Sequence, residues 1–190
     1  MARLKSLQAR SGRLRSIGVI LSLLDPRTWI QLIRILHYMN YSHAGQVGRI
    51  RKGSDVRIAP NVSIANGEFI RLGSHVRIAE HATLWAAEDG SGIEIEDWAA
   101  VGPHTFVTAA KYQFKTPGTG EIKPPQGNAI HIGRGAVIYS CCVILAGSKI
   151  GEGAIIGPGS LVNGEIPPYA IAMGSPARVV LQRKPEDCGA

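Results

Sequence analysis

At 190 residues the chain has room for one domain and a terminal extension. An apolar content of 45% excludes a disordered chain, and an aromatic content of 6% calls for an aliphatic core. The net charge of +7 carries no nucleic-acid motif and no interleaving of basic with aromatic residues, so no nucleic-acid partner is expected.

The N-terminal stretch is basic: Arg3, Lys5, Arg10, Arg13 and Arg15 meet no acid before Asp25. Residues 17–24 are apolar, but eight residues are too few to span a bilayer. They also lack the small-residue site at which a signal peptide is cleaved. Pro26 can open a helix over residues 29–39, with Trp29, Ile30, Leu32, Ile33, Leu36 and Met39 on one broad apolar face. Such a helix packs on the body or on a neighbouring subunit. A second reading lays it on the inner membrane surface with its arginines toward anionic headgroups. Three cysteines, two of them the adjacent Cys141 and Cys142, make no disulfide framework, and a reducing cytoplasm is the expected compartment.

From residue 58 one rule takes over. Aliphatic residues recur every sixth position: Ile58, Ile64; Leu72, Ile78, Leu84; Ile95, Val101, Val107; Ile132, Ile138, Ile144, Ile150, Ile156, Val162. Two extra residues precede Leu72, five precede Ile95 and nineteen precede Ile132. A period of six fits neither an α-helix nor a simple alternating strand. It fits a parallel β-helix of hexapeptide repeats, with three hexads to each triangular coil. The residue after each aliphatic is often small. The third residue after it is drawn from Asn61, Gly67, His75, His81, His104, Gly135, Gly147, Gly153 and Gly159, types that tolerate positive φ, so a left-handed corner is expected at each. Terminal coils need covers, which the N-terminal helices and the segment after Val162 can supply. The expected organisation is therefore a basic helical extension (1–45), the β-helix (46–181) and a short tail (182–190). A long loop, residues 111–129, is rich in Pro and Gly.

The C-terminal end reads I-G-E-G-A-I-I-G-P-G-S-L-V over residues 150–162, then Ile166-Pro167-Pro168-Tyr169 and Gly174-Ser175-Pro176-Ala177-Arg178. With the hexads this resembles the bacterial hexapeptide-repeat acyltransferases, such as the galactoside, maltose and lipopolysaccharide O-acetyltransferases. The resemblance covers about residues 50–181. It implies a left-handed coil, a homotrimer with active sites between subunits, acetyl-CoA as co-substrate and a sugar or glycan acceptor. It also implies that Ser140 and Pro158 line the pantetheine channel, that Asn163 and Gly164 lie near the CoA phosphates, and that Arg178 contacts the nucleotide end. An arginine fork suits phosphate.

Family members start the long loop with a histidine that acts as general base, for which imidazole is suited near neutral pH. Here the stretch is Thr108-Ala109-Ala110-Lys111-Tyr112, and Lys111 stands in that place. A lysine, with a reference pKa of about 10.4, needs burial to become a base. Charged, it would stabilise an oxyanion instead. His131 is a candidate substitute base, because it points outward where the loop rejoins the coil. His104 is a third candidate. His81 and His104 are 23 residues apart, one eighteen-residue coil plus the five-residue insertion, so His81, His104 and Cys141 should share one corner column. Each of these also has a bland reading: a solvated loop lysine, or corner histidines kept for their φ. No metal site is expected, since His75 and His81 lack the close pairing of a β-helical zinc site. Two functions remain open: an acetyl-CoA-dependent O-acetyltransferase with an atypical base, or a catalytically inactive β-helical homologue that binds, scaffolds or regulates in glycan assembly.

Overall fold

The computed structural model describes residues 25–111 and 126–188. The basic segment 1–24 and the body of the long loop, 112–125, lie outside the described residues, as do residues 189–190.

The first compact unit ends at Asn40 and the second begins at Tyr41. In the first, helix α1 spans Pro26–Met39. Asp25 caps it, accepting the Arg27 N–H at 2.8 Å, and Pro26 opens the first turn where its missing N–H costs nothing. None of the residues of α1 is buried.

The second unit is a left-handed parallel β-helix. Each coil contributes one short strand to each of three sheets. The first face stacks Arg51–Lys52, Ile70–Leu72, Ile93–Ile95, Ile130–Ile132, Lys149–Ile150 and Glu165–Ile166. The second stacks Arg57–Ile58, Arg77–Ile78, Ala100–Val101, Val137–Ile138, Ile155–Ile156 and Ala170–Met173. The third stacks Ser63–Ala65, Thr83–Trp85, Phe106–Thr108, Val143–Ile144 and Leu161–Val162. Pairing is parallel and in register throughout, so Ile78, Val101, Ile138 and Ile156 sit directly above one another. Of the fourteen hexad aliphatics only Ile58, in the first coil, is less than fully buried. The nineteen-residue insertion leaves this register untouched: Ile132 pairs with Ile95 below it and Ile150 above it.

The small residue after each aliphatic has a steric cause. A Cβ on Gly151 would lie 2.3 Å from the Pro168 nitrogen of the next coil. The corners are left-handed at His75, His81, His104, Gly135, Gly147, Gly153 and Gly159, as expected, and also at Trp98 (φ 63°), Cys141 (φ 58°) and Tyr169 (φ 59°). Two expectations are corrected. Asn61 keeps a negative φ, because its side-chain oxygen takes the His81 N–H (3.2 Å) that a backbone carbonyl accepts at the other corners. Asn66, not Gly67, turns left-handed, since the two extra residues there close a 3₁₀ turn, Gly67–Phe69.

Both ends are covered. Below, Ser42 is buried, the His43 ring bonds the Val62 carbonyl at 2.8 Å, and Gln46 Oε1 accepts the Gly67 N–H at 3.1 Å. Above, Arg178–Gln182 returns antiparallel on Ala170–Met173, and Arg183 donates to the carbonyls of Tyr169 and Gly153.

The outward rows differ. On the first face the row is charged: Arg71, Glu94, His131, Lys149, Glu165. On the other two it turns apolar in the upper coils, with Val137, Ile155 and Ile171 on one and Phe106, Val143 and Leu161 on the other, all half-buried.

Candidate active site

The base of the long loop is built as a two-stranded clip. Ala110–Lys111 pairs antiparallel with Gln126–Gly127. The five-residue insertion holds this clip shut: Asp89 Oδ2 accepts the Gly127 N–H at 2.6 Å and Oδ1 the Ser91 N–H at 2.9 Å. Those two backbone donors, Gly127 first, hold the Asp89 carboxyl below the usual carboxylate range. Gly127 has to be glycine: a Cβ would lie 2.4 Å from that of Ser91 and 2.5 Å from that of Ala87. Lys111 sits in this clip with its side chain exposed.

His131 leaves the same loop on the first face. It is half-buried, and its Nε2 lies 3.0 Å from Glu96 Oε1. The second oxygen of Glu96 accepts the Arg134 N–H at 2.9 Å, which fixes the carboxylate. With Nε2–H donating to Glu96, Nδ1 is the acceptor nitrogen. A groove of about 440 Å³ runs past it, lined also by Arg51, Glu68, Phe69, Arg71 and Glu94.

The corner between the second and third faces carries the other candidates. His81, His104 and Cys141 occupy one column, all at left-handed φ. The rings of His81 and His104 stack with centroids 4.9 Å apart and planes within 11°. Beside that column Ser140 and Pro158 rise on successive coils, joined by Gly159 N–H donating to the Ser140 carbonyl at 2.9 Å. Higher on the same edge Met173 stands over Gly157 and pairs with Arg178. The Arg178 guanidinium is exposed, with one Nη1 contact of 3.1 Å to the Ala177 carbonyl. Ser140, Pro158, Arg178 and His104 thus share one edge. Asn163 and Gly164 do not: they follow the third-face strand Leu161–Val162, where Gly164 accepts the Lys149 N–H at 3.0 Å. Cys142 turns inward, its thiol 3.2 Å from the Gly157 carbonyl, and burial pushes its pKa up, so it is a packing residue.

The structure separates His131 from His104. One lies on the first face and the other at the far corner of the triangle. Glu96 and Asp89 escape the sequence reading. Glu96 had a signal: it follows Ile95 in the hexad as Gly133 follows Ile132, which puts it one coil below the segment that carries His131.

The family "Bacterial transferase hexapeptide (six repeats)" matches residues 129–164. The β-helix is that of the hexapeptide-repeat transferases. A hexapeptide-repeat acetyltransferase from Vibrio cholerae, solved in complex with acetyl-CoA, superposes with a TM-score of 0.65 at 25% identity, over 80% of this hexapeptide-repeat chain and 84% of that one. A maltose O-acetyltransferase from Clostridium difficile gives a TM-score of 0.59 at 26% identity, over 70% and 68% of the two chains. In sequence, a chloramphenicol acetyltransferase from Agrobacterium fabrum is 31% identical over 121 residues, 64% of this chain and 52% of the relative. Serine acetyltransferase 2 from Arabidopsis thaliana is 28% identical over 171 residues, 86% of this chain and 50% of the relative. The chain spans about half the length of these two relatives.

Proposed function

We propose that the chain transfers an acetyl group from acetyl-CoA to a hydroxyl of a sugar or of a polysaccharide or lipopolysaccharide precursor. One observation carries the reading: its coil superposes on that of an acetyltransferase holding acetyl-CoA, and it keeps Ser140, Pro158 and Arg178 on one continuous edge. The Ser140 and Pro158 side chains along that edge suit a slender pantetheine, and the exposed Arg178 guanidinium, with one Nη1 on the Ala177 carbonyl, keeps further N–H donors for a phosphate.

His131 is the base in this reading and Glu96 its positioning residue. Nδ1 takes the proton of the acceptor hydroxyl as that oxygen bonds to the thioester carbonyl carbon. The C–S bond then breaks, and the CoA thiolate takes the proton back from the imidazolium. Within one chain His131 and the Ser140–Arg178 edge face different ways. A homotrimer that sets the first face of one copy against the edge of the next supplies both groups to one site. The apolar outward rows of the second and third faces are the surface such an assembly would cover. The test is calorimetry with CoA, then turnover of acetyl-CoA with a panel of mono- and oligosaccharides. Heat on CoA binding and acetylated sugar are expected. No heat at millimolar CoA would sink the proposal.

A second reading, a β-helical binding or scaffold subunit without chemistry, draws on Lys111 standing exposed at the loop start. CoA binding without transfer to any sugar, and indifferent to His131→Ala, would favour it.

The N-terminal unit adds a peripheral membrane contact to a chain working in a reducing cytoplasm. Helix α1 buries none of its apolar residues, and Asp25 is the single acid among the first 54 residues. No helix of the described residues is long and apolar enough to cross a membrane. Vesicles rich in phosphatidylglycerol should retain the full chain, less so at high salt, and should release a chain lacking residues 1–40. Equal retention of both chains would remove this contact.

A further inference from the structure

The corner between the first and second faces carries a column that acetyl transfer does not use. It runs Asp55, His75, Trp98, Gly135, Gly153, Tyr169; from His75 on, each donates its N–H to the carbonyl of the residue just before the corner in the coil below. Trp98 is 57% exposed, although it is one of the largest apolar side chains in the molecule. One face of its indole is covered by His75, stacked at 4.0 Å with planes within 18°. His75 in turn is held by Asp55 Oδ2, 3.3 Å from its Nδ1. The opposite face of the indole looks toward the next coil, and there the corner residue is Gly135. A Cβ on Gly135 would meet nothing within 4 Å. One coil higher the column closes again, because the Tyr169 ring folds down over Gly153, whose Cβ would lie 2.7 Å from Tyr169 Cδ1.

The result is a notch at the Gly135 level, with an indole below and a phenol ring above. Coils are spaced by about 4.8 Å, so the rungs of Trp98 and Gly153 stand about 10 Å apart. A ring in van der Waals contact on both faces needs about 7–8 Å. The notch therefore accepts one flat six-membered ring. Its polar side is set by the neighbouring column, Asp97, Arg134 and Glu152, all exposed. Asp97 and Arg134 also line a groove of about 330 Å³ on the first face, together with Glu96.

We propose that this notch is a binding subsite for a neutral pyranose residue of a glycan, separate from the acetyl-transfer site. The axial C–H bonds of a pyranose carry partial positive charge and meet the negative face of the indole. Vicinal hydroxyls match the acceptor oxygens of Asp97 and Glu152 and the donor fork of Arg134. Asp97 and Glu152 flank Arg134 at the notch and Arg183 reaches the Gly153 carbonyl above it, so carboxylates and guanidiniums balance and a neutral ring suits the notch better than a charged one. The support of Trp98 by His75 fixes the platform before a ligand arrives, which lowers the ordering cost of binding. The inference does not depend on acetyl transfer, because a scaffold subunit would hold a glycan in the same way.

The test uses the full chain without acetyl-CoA. Neutral trisaccharides of glucose, galactose and N-acetylglucosamine are titrated by saturation-transfer NMR, with AMP as the comparator. Two variants carry the decision. Trp98→Asn removes the platform but keeps a residue tolerant of positive φ. Gly135→His fills the notch with a ring of the type this chain already places at His75, His81 and His104. At least one neutral trisaccharide should bind the native chain, and both variants should weaken it by at least about tenfold, as platforms do when the ring is lost. Binding unchanged in the two variants would overturn the proposal, as would the absence of binding by every trisaccharide at millimolar concentration. AMP binding more tightly than any sugar, and lost in Trp98→Asn, would overturn it in favour of a base-binding notch.

Discussion

Acetyl transfer should fall about 10²–10⁴-fold in His131→Ala, the range over which a lost general base acts. Glu96→Gln should fall less, because an amide still holds Nε2–H through its carbonyl oxygen while the charge is gone. The stronger test is genetic in form. His131 lies on the first face and Arg178 on the far edge, so in the proposed trimer one site draws these two residues from different copies. His131→Ala and Arg178→Ala chains, each nearly inactive at acetyl-CoA well below KM, are unfolded together and refolded as a mixture. About one site in four should then have both groups intact, and that share of the native rate should return. A base on the same edge as Arg178, such as His104, predicts no recovery for the matching His104→Ala mixture, because both lesions then have to be absent from one copy. Native rates in His131→Ala would remove His131 from the chemistry altogether.

The difference between what could and could not be read from the sequence follows the coil. Ile132 above Ile95 was legible across nineteen extra residues, because a loop that leaves and returns at one corner does not alter the hexad count. The stack of His81 on His104 was legible for the same reason. Residue type was a poorer guide than position. Trp98 and Tyr169 hold left-handed corners that their side chains do not favour, since the coil fixes the turn and the residue has to follow. Gly67 looked like a corner and is not one, because two extra residues reshaped its turn. The clamp of Asp89 on Gly127 lay out of reach: Asp89 sits in an insertion, where no hexad register says which strand it will face. The pair His131–Glu96 follows from the same coil count that stacks the corner histidines, since Glu96 and Gly133 hold equivalent hexad positions on adjacent coils.

That dependence on position makes the stability of this chain uneven along its axis, and one pair of variants measures it. Ile58 and Ile138 are the same residue type in the same row of the second face, separated by Ile78 and Val101. Ile138 is 1% exposed with a coil above and below, whereas Ile58 is half-buried in the first coil. Ile138→Ala removes buried methyl groups from a stack whose backbone is pinned on both sides. The cavity cannot collapse, and the expected cost is about 2–5 kcal/mol. Ile58→Ala loses partners on one side only and opens toward solvent, so its cost should be about 1–2 kcal/mol, near the transfer energy alone. Urea denaturation followed by circular dichroism checks this, with a clear drop of the midpoint for Ile138→Ala and a small one for Ile58→Ala. Equal shifts would mean that the coils unfold as a block in which the end is as tightly held as the middle. Unequal shifts fit nearest-neighbour stacking, in which each coil is held by the two it touches.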